Sequence, residues 1–444
     1  MRALLSIIAP LSLFANEISI VPRLEPGNTA FVFMATVLVM FMSPAGLAFF
    51  YGGMTRGKNV LNTLAMSFSA YAIASVVWIL WGYSLAFGND INGLIGDFSQ
   101  LGLSGITLDA NTTSGILVIK DSNGVITANV GIPMLLFVAF QMTFAGITLA
   151  VVSGAVIERM KFVSWLLFGV LWLTFVYAPI AHWVWGGGFL SNMGVLDFAG
   201  GYVVEINSGI SGLTLAILLG RRKDLGKTAI FPFSVAFTTL GAAMLWFGWF
   251  GFNAGSELQA DLIAANAFLT TNTAAACGLI SWGAVEYVKY KKFTLIGMAS
   301  GAVAGLVAIT PAAGFVSVNA SLLIGLIAGI IGFWGVNYLK AKLKYDDSLD
   351  VFGVHALCGI WGVIATGIFA NPQINTLGKG IIYGNSTQFL TQLEAVAIVA
   401  IYSAFATFVV YKVVTLFTNG ARASSDDEGM GLDEAEHGET AFHF

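Results

Sequence analysis

Residues 196–212 read Leu196-Asp-Phe-Ala-Gly-Gly-Tyr-Val-Val-Glu-Ile-Asn-Ser-Gly-Ile-Ser-Gly212. The stretch is apolar and rich in glycine, with the character of a membrane span, yet it carries Asp197 at its start and Glu205 inside it. Eight helical residues advance about 12 Å, and half of the hydrocarbon core is about 15 Å. With Asp197 near one face, Glu205 falls near the middle of the membrane. An acid at that depth is costly and marks a substrate or proton path, normally with a partner. A second stretch, Asp350-Val-Phe-Gly-Val-His355, repeats the plan of an acid followed by a titratable group. His355 is therefore the natural partner of Glu205.

Composition agrees with this reading. The 444 residues are 57% hydrophobic and only 10% charged, against roughly 25% charged in soluble domains. The 52 glycines suit helices packed backbone to backbone in lipid. Cys277 and Cys358 both lie in apolar runs, without disulfide or metal-type spacing. No nucleotide-binding loop, nucleophile elbow or zinc motif is present, and no metal or cofactor is expected. The chain reads as a polytopic all-α membrane protein and not as an enzyme.

Apolar runs of crossing length, roughly 20 residues each, fall near 29–53, 60–87, 129–157, 162–185, 198–220, 230–252, 262–288, 294–314, 318–340, 350–370 and 388–416, which predicts eleven transmembrane helices. Arg56/Lys58, Arg159/Lys161, Arg221/Arg222/Lys223/Lys227, Lys289/Lys291/Lys292 and Lys340/Lys342/Lys344 occupy every second connection, whereas the others hold only Lys120 and Lys379. By the positive-inside rule the N-terminus lies outside and the C-terminus in the cytoplasm. Loop 88–128 reads as exposed turn structure. Residues 1–28, with Arg2 and the apolar run Ala3–Ala15, read either as a signal peptide or as an uncleaved N-terminal segment. Residues 29–417 form the membrane domain and 418–444 an acidic cytoplasmic tail.

With this topology the fifth and tenth spans run in opposite directions, as in two inverted five-helix repeats, about 29–220 and 230–370, that meet at the site. The eleventh span, about 388–416, stands outside the repeat. Phe140 and Phe144 are one helical turn apart on one face. The runs Trp183-Val-Trp185 and Trp249-Phe-Gly-Phe252-Asn-Ala-Gly-Ser256 lie at comparable depth. Together they suggest a mouth that binds a small cation on ring faces, at ~0.5–2 kcal/mol per ring, although interfacial tryptophans are more often a simple aromatic belt. Asp197 is read first as a cap of its helix N-terminus. His182 reads as structural.

Asp197-Phe-Ala-Gly-Gly, Trp249-Phe-Gly-Phe-Asn-Ala-Gly-Ser, Asp350-Val-Phe-Gly-Val-His, Phe50-Tyr-Gly-Gly-Met-Thr-Arg-Gly-Lys-Asn, Ala181-His-Trp-Val-Trp-Gly-Gly-Gly and the tail Gly431-Leu-Asp-Glu-Ala-Glu-His-Gly-Glu resemble the ammonium transporter (Amt/Mep/Rh) family, in its Amt/Mep branch. The resemblance implies eleven spans, a homotrimer in the plasma (inner) membrane, and one hydrophobic pore per subunit. It implies recruitment of ammonium or methylammonium at Phe140, Trp185 and Ser256, a gate of Phe144 and Phe252, and a pore relay. Members usually carry paired histidines there. His355 matches the second, but Glu205 stands at the first, as in the fungal Mep variation. The tail implies contact with neighbouring subunits and a PII-type regulatory partner at the cytoplasmic face. Ala435 stands where plant relatives have a phosphorylated threonine.

Passing a bare charge through an apolar lumen is costly, so ammonium that sheds its proton at the mouth and crosses as ammonia takes the cheaper route, which K+ cannot follow. Glu205 and His355 then bond to ammonia or relay the proton, titrating as a unit. The alternatives are an ammonium sensor or receptor, for which the tail is too short to hold a signalling domain, and a channel for another small neutral gas such as carbon dioxide.

Overall fold

The computed structural model describes residues 21–120 and 126–442; the apolar run Ala3–Ala15 lies outside the described residues. Ten helices there are long and apolar enough to cross a membrane: α1 (Pro26–Met54), α2 (Gly57–Phe87), α3 (Met134–Ser153), α4 (Phe162–Asn192), α5 (Gly201–Leu219), α6 (Val235–Glu257), α7 (Leu262–Tyr290), α9 (Val318–Leu343), α10 (Phe352–Phe369) and α11 (Ser386–Phe417). The predicted span at 294–314 contains a shorter helix, α8 (Leu295–Ile309). Its 15 residues reach ~22 Å. Pro311 follows within two residues, and the chain continues to Val316 as buried turns. Thus α8 stops short of the predicted end because a proline removes the next amide donor.

Two other boundaries move for local reasons. Residues 129–133, assigned by their apolarity to a span, form instead the end of a strand (Ile126–Pro133) paired antiparallel with the strand Ile116–Lys120. The strand is buried against the start of α1: Glu25 N donates to Gly131 O at 2.7 Å and Asn28 Nδ2 to Val130 O at 2.8 Å. A second small hairpin pairs Asp90–Ile91 with Ile95–Gly96. The described residues of loop 88–128 thus form a hairpin layer over one end of the bundle. At the other end, α6 begins at Val235 and not at 230. Pro232 precedes it and Ser234 caps it, accepting from Phe237 N at 3.2 Å.

Helices α7, α8 and α9 meet through small residues. A Cβ on Gly305 or on Gly325 would lie 2.2 Å from Ala274 O, so only glycine permits these crossings. Helix α11 lies along α5 and α10. Its Gln392 accepts from Leu196 N at 2.9 Å and donates to Leu196 O at 2.8 Å, while Ser403 and Thr407 bond Asn207 and Ser211. Polar groups of α11 are thus spent on α5 and on the connection that leads into it, where no water is available to satisfy them.

The end opposite the hairpins carries a buried ion network. Glu158 pairs with Arg56 at 2.8 Å and Arg222 at 2.9 Å, and Arg222 pairs with Asp346 at 2.9 Å. Burial opposes ionisation of Glu158, but the Arg222 and Arg56 guanidiniums hold its carboxyl below the ordinary range. The acidic tail joins this network. Arg422 binds Glu428, Lys58 Nζ donates to Glu428 O and Gly429 O, and Asp433 accepts from Asn62 N at 2.8 Å. A simple solvated tail is what the charge run suggests, yet Glu428 and Asp433 are buried, because Arg422 and Lys223 N donate to Glu428 and Asn62 N near the start of α2 donates to Asp433.

Candidate functional site: a path between α5 and α10

Helix α5 is entered through Gly200, whose φ of 123° favours glycine. There Asp197 folds back over the helix start. Its two carboxylate oxygens accept from the amides of Gly200, Gly201 and Tyr202 at 2.6–2.8 Å, which fills the donors a helix start leaves open. The first turn is π-helical, Gly201–Ile206, with both Val204 N and Glu205 N donating to Gly200 O. The wider turn shifts Glu205 out of the regular helical register.

Helix α10 uses the same device from the other side. His355 sits in a π-helical turn, Phe352–Ala356. The two helices approach closely enough to require glycine at equivalent places. A Cβ on Gly359, four residues beyond His355, would lie 2.8 Å from Glu205 Cβ; one on Gly209, four residues beyond Glu205, would lie 2.4 Å from Ala356 N. This reciprocal contact brings His355 Nδ1 to 2.7 Å from Glu205 Oε2. Both side chains are buried. An imidazole and a carboxylate at that distance share a proton position.

Three cavities flank the pair. On the hairpin side an open cavity of about 530 Å3 is lined by Phe144, Trp185, Asp197, Ser256, Gln141 and Glu257, among others. Trp185 Nε1 donates to Asp197 O at 3.0 Å, which fixes the indole in the cavity lining. Below it, Phe144 and Phe252 stand with ring centroids 4.5 Å apart and planes tilted by 41°. Beneath these rings a narrow void is lined by Phe252, Glu205 and His355. On the tail side a cavity of about 180 Å3 begins at His355 and includes Tyr51, Glu286 and Asp350.

The structure thus gathers Phe144, Phe252, Trp185, Ser256, Asp197, Glu205 and His355 along one line. Phe140 is placed differently. It is fully buried, packs edge-on against Phe144 at 5.0 Å and is absent from the lining of the large cavity. Two rings one turn apart point the same way, but α6 at Gly255 closes over Phe140. Gln141 and Glu257 line the cavity in its place and were not singled out from the sequence; Glu257 follows Ser256 directly and ends the aromatic run. Asp350 does not cap α10. It pairs with Lys340 at 2.8 Å, and Asp347 accepts from Phe352 N at 2.7 Å. His182 is buried between Ala86 O at 2.9 Å and Asp90 at 2.8 Å, where it ties α4 to the end of α2 and to the Asp90–Gly96 hairpin.

The sequence pattern of the Ammonium Transporter Family matches residues 30–442. The chain belongs to the ammonium transporter family. An ammonium transporter of Bacillus subtilis is 50% identical over 420 residues, covering 94% of this chain and 99% of the relative. One from Aquifex aeolicus is 47% identical over the full length of both chains. Among solved structures, Candida albicans Mep2 is similar with a TM-score of 0.82 and 32% identity, over 91% of this chain and 88% of that one.

Proposed function

We infer that this chain is an ammonium transporter, in which the line of cavities joined at Phe144/Phe252 and at Glu205/His355 is the path. That succession of separate cavities, from an aromatic, acid-lined mouth past the Phe144/Phe252 rings to a buried titratable pair, supports the reading. Ammonium enters at Trp185 and Ser256, where the indole face and the hydroxyl oxygen receive a cation. The Asp197 and Glu257 carboxyl groups line the mouth. Phe140 backs the gate ring of Phe144. The void beneath the gate is too narrow and apolar for a hydrated ion, so the proton leaves before ammonia passes. Glu205 and His355 then receive ammonia by hydrogen bonds or carry the proton, acting as one titrating unit.

In this reading the α8 segment completes eleven crossings. The hairpin layer faces outward, and the arginine- and lysine-rich connections with the tail lie in the cytoplasm. Residues 29–417 are the transport domain and 418–444 a regulatory segment whose partners would be neighbouring subunits of a homotrimer and a PII-type protein. The inner membrane is the expected site. Purified protein in liposomes tests the function: an inward ammonium gradient should drive uptake, competed by methylammonium, while an equal K+ gradient should not. Liposomes as tight to ammonium as protein-free ones would overturn the reading.

A further inference from the structure

Glu286, near the end of α7, is 7% exposed and lines the tail-side cavity together with His355. Its oxygens accept from Thr294 N at 3.0 Å, Thr294 Oγ1 at 3.0 Å and Trp282 Nε1 at 3.3 Å. All three donors are neutral. A carboxylate offers about four acceptor positions, and one hydroxyl proton cannot serve both oxygens at once. One position and the negative charge are therefore left for the cavity. The other acid in that cavity, Asp350, is already offset by Lys340. Rings of Phe50, Tyr51 and Trp282 share the lining, which adds aromatic faces suited to a small cation. Space is also reserved for the carboxylate: a Cβ on Gly297 would stand 2.0 Å from Glu286 Oε1.

We propose that Glu286 is the cation-binding residue of a second ammonium site, at the cytoplasmic end of the path. It holds ammonium on the far side of His355 from the mouth and sets the affinity seen from that side. The inference rests on the transport reading, and one experiment separates the two. In oriented liposomes, ammonium flux is measured from each face as a function of concentration. Glu286→Gln keeps the size and most hydrogen bonds but removes the charge. It should raise the half-saturating ammonium concentration from the cytoplasmic face about fivefold, the scale of one wet ion contact, and leave the value from the other face unchanged. Glu286→Asp should restore most of the loss. If the glutamine protein does not assemble, Glu286→Ala, which also removes the charge, decides in the same way, by a rise confined to the cytoplasmic face. Half-saturation unchanged from both faces, or altered equally from both with no rescue by aspartate, would reduce Glu286 to an anchor for Thr294 and overturn the proposal. Absence of flux in the unmodified protein would instead defeat the transport reading.

Discussion

On the hairpin side, α5 is entered past Asp197, whose charge is met by three backbone amides. On the tail side, α10 is entered past Asp350, held at a φ of 64° and paired with Lys340, while Asp347 takes the amide. Beyond these entries the regions converge on one plan: a π-helical turn bearing Glu205 or His355, then a glycine four residues on that admits the opposite helix. The plan fixes where Glu205 and His355 meet. The entries fix the field on either side. The amides give Asp197 no cationic partner, whereas Lys340 pairs with Asp350 and leaves Glu286 as the acid of the tail-side cavity bonded by neutral donors alone.

The largest effect should come from cutting the shared element. His355→Ala leaves Glu205 buried without its partner, and removing one member of a buried pair costs about 3–5 kcal/mol. Ammonium uptake should fall more than tenfold, and Glu205→Ala/His355→Ala should be little worse, because groups acting as a unit are non-additive. Additive losses in liposome uptake would separate the two side chains.

If the two helix entries are equivalent at their crossing, Gly209→Ala and Gly359→Ala should hurt alike. Overpacking of this kind costs about 1–3 kcal/mol, read as lowered thermal stability and reduced uptake. One tolerated and one damaging substitution would break the reciprocity.

The inner cap gives a pH signature. Burial pushes the Asp347 carboxyl up to about 6, against the pull of Lys340. A folded pKa above the unfolded value, ~3.9, means that the folded state prefers the protonated acid. Its favourable contribution is present below pH ~4 and is lost as pH rises through about 6. Asp347→Asn should therefore flatten the fall in melting temperature across that window. An unaltered slope would remove Asp347 from the account.

The smallest effect belongs to the partly exposed pair. Lys340→Met should cost no more than about 1 kcal/mol in stability. By freeing Asp350 it should also lower the half-saturating ammonium concentration from the tail side, and an unchanged value would mean that the Lys340–Asp350 charge balance does not shape that vestibule.

These comparisons also mark what the sequence could reveal. Long apolar runs mark the ten helices of crossing length among the described residues because hydrocarbon length, not fold detail, dictates them. Boundaries shift where a local device outweighs apolarity: the strand at 129–133, the proline after α8, the serine cap of α6. Glu205 is legible because an acid in an apolar run has few explanations. Glu286 is not, since three lysines follow it within six residues and it reads as interfacial charge. Nor does spacing tell Phe140 from Phe144, because the helix across from them decides which ring faces the cavity. The close Asp350–His355 spacing likewise hid Asp347 as the cap.

The central claim is that the Glu205–His355 pair lies in the path and sets passage through it. The pH dependence of ammonium flux in liposomes, compared between the unmodified protein and Glu205→His, tests it most directly. A carboxyl and an imidazole of similar reach can both line the pore but titrate from ~4.3 and ~6.5. The account predicts a protein that still transports, with its pH profile displaced. Assembled protein with full flux and an identical profile would place the pair outside the path and contradict it.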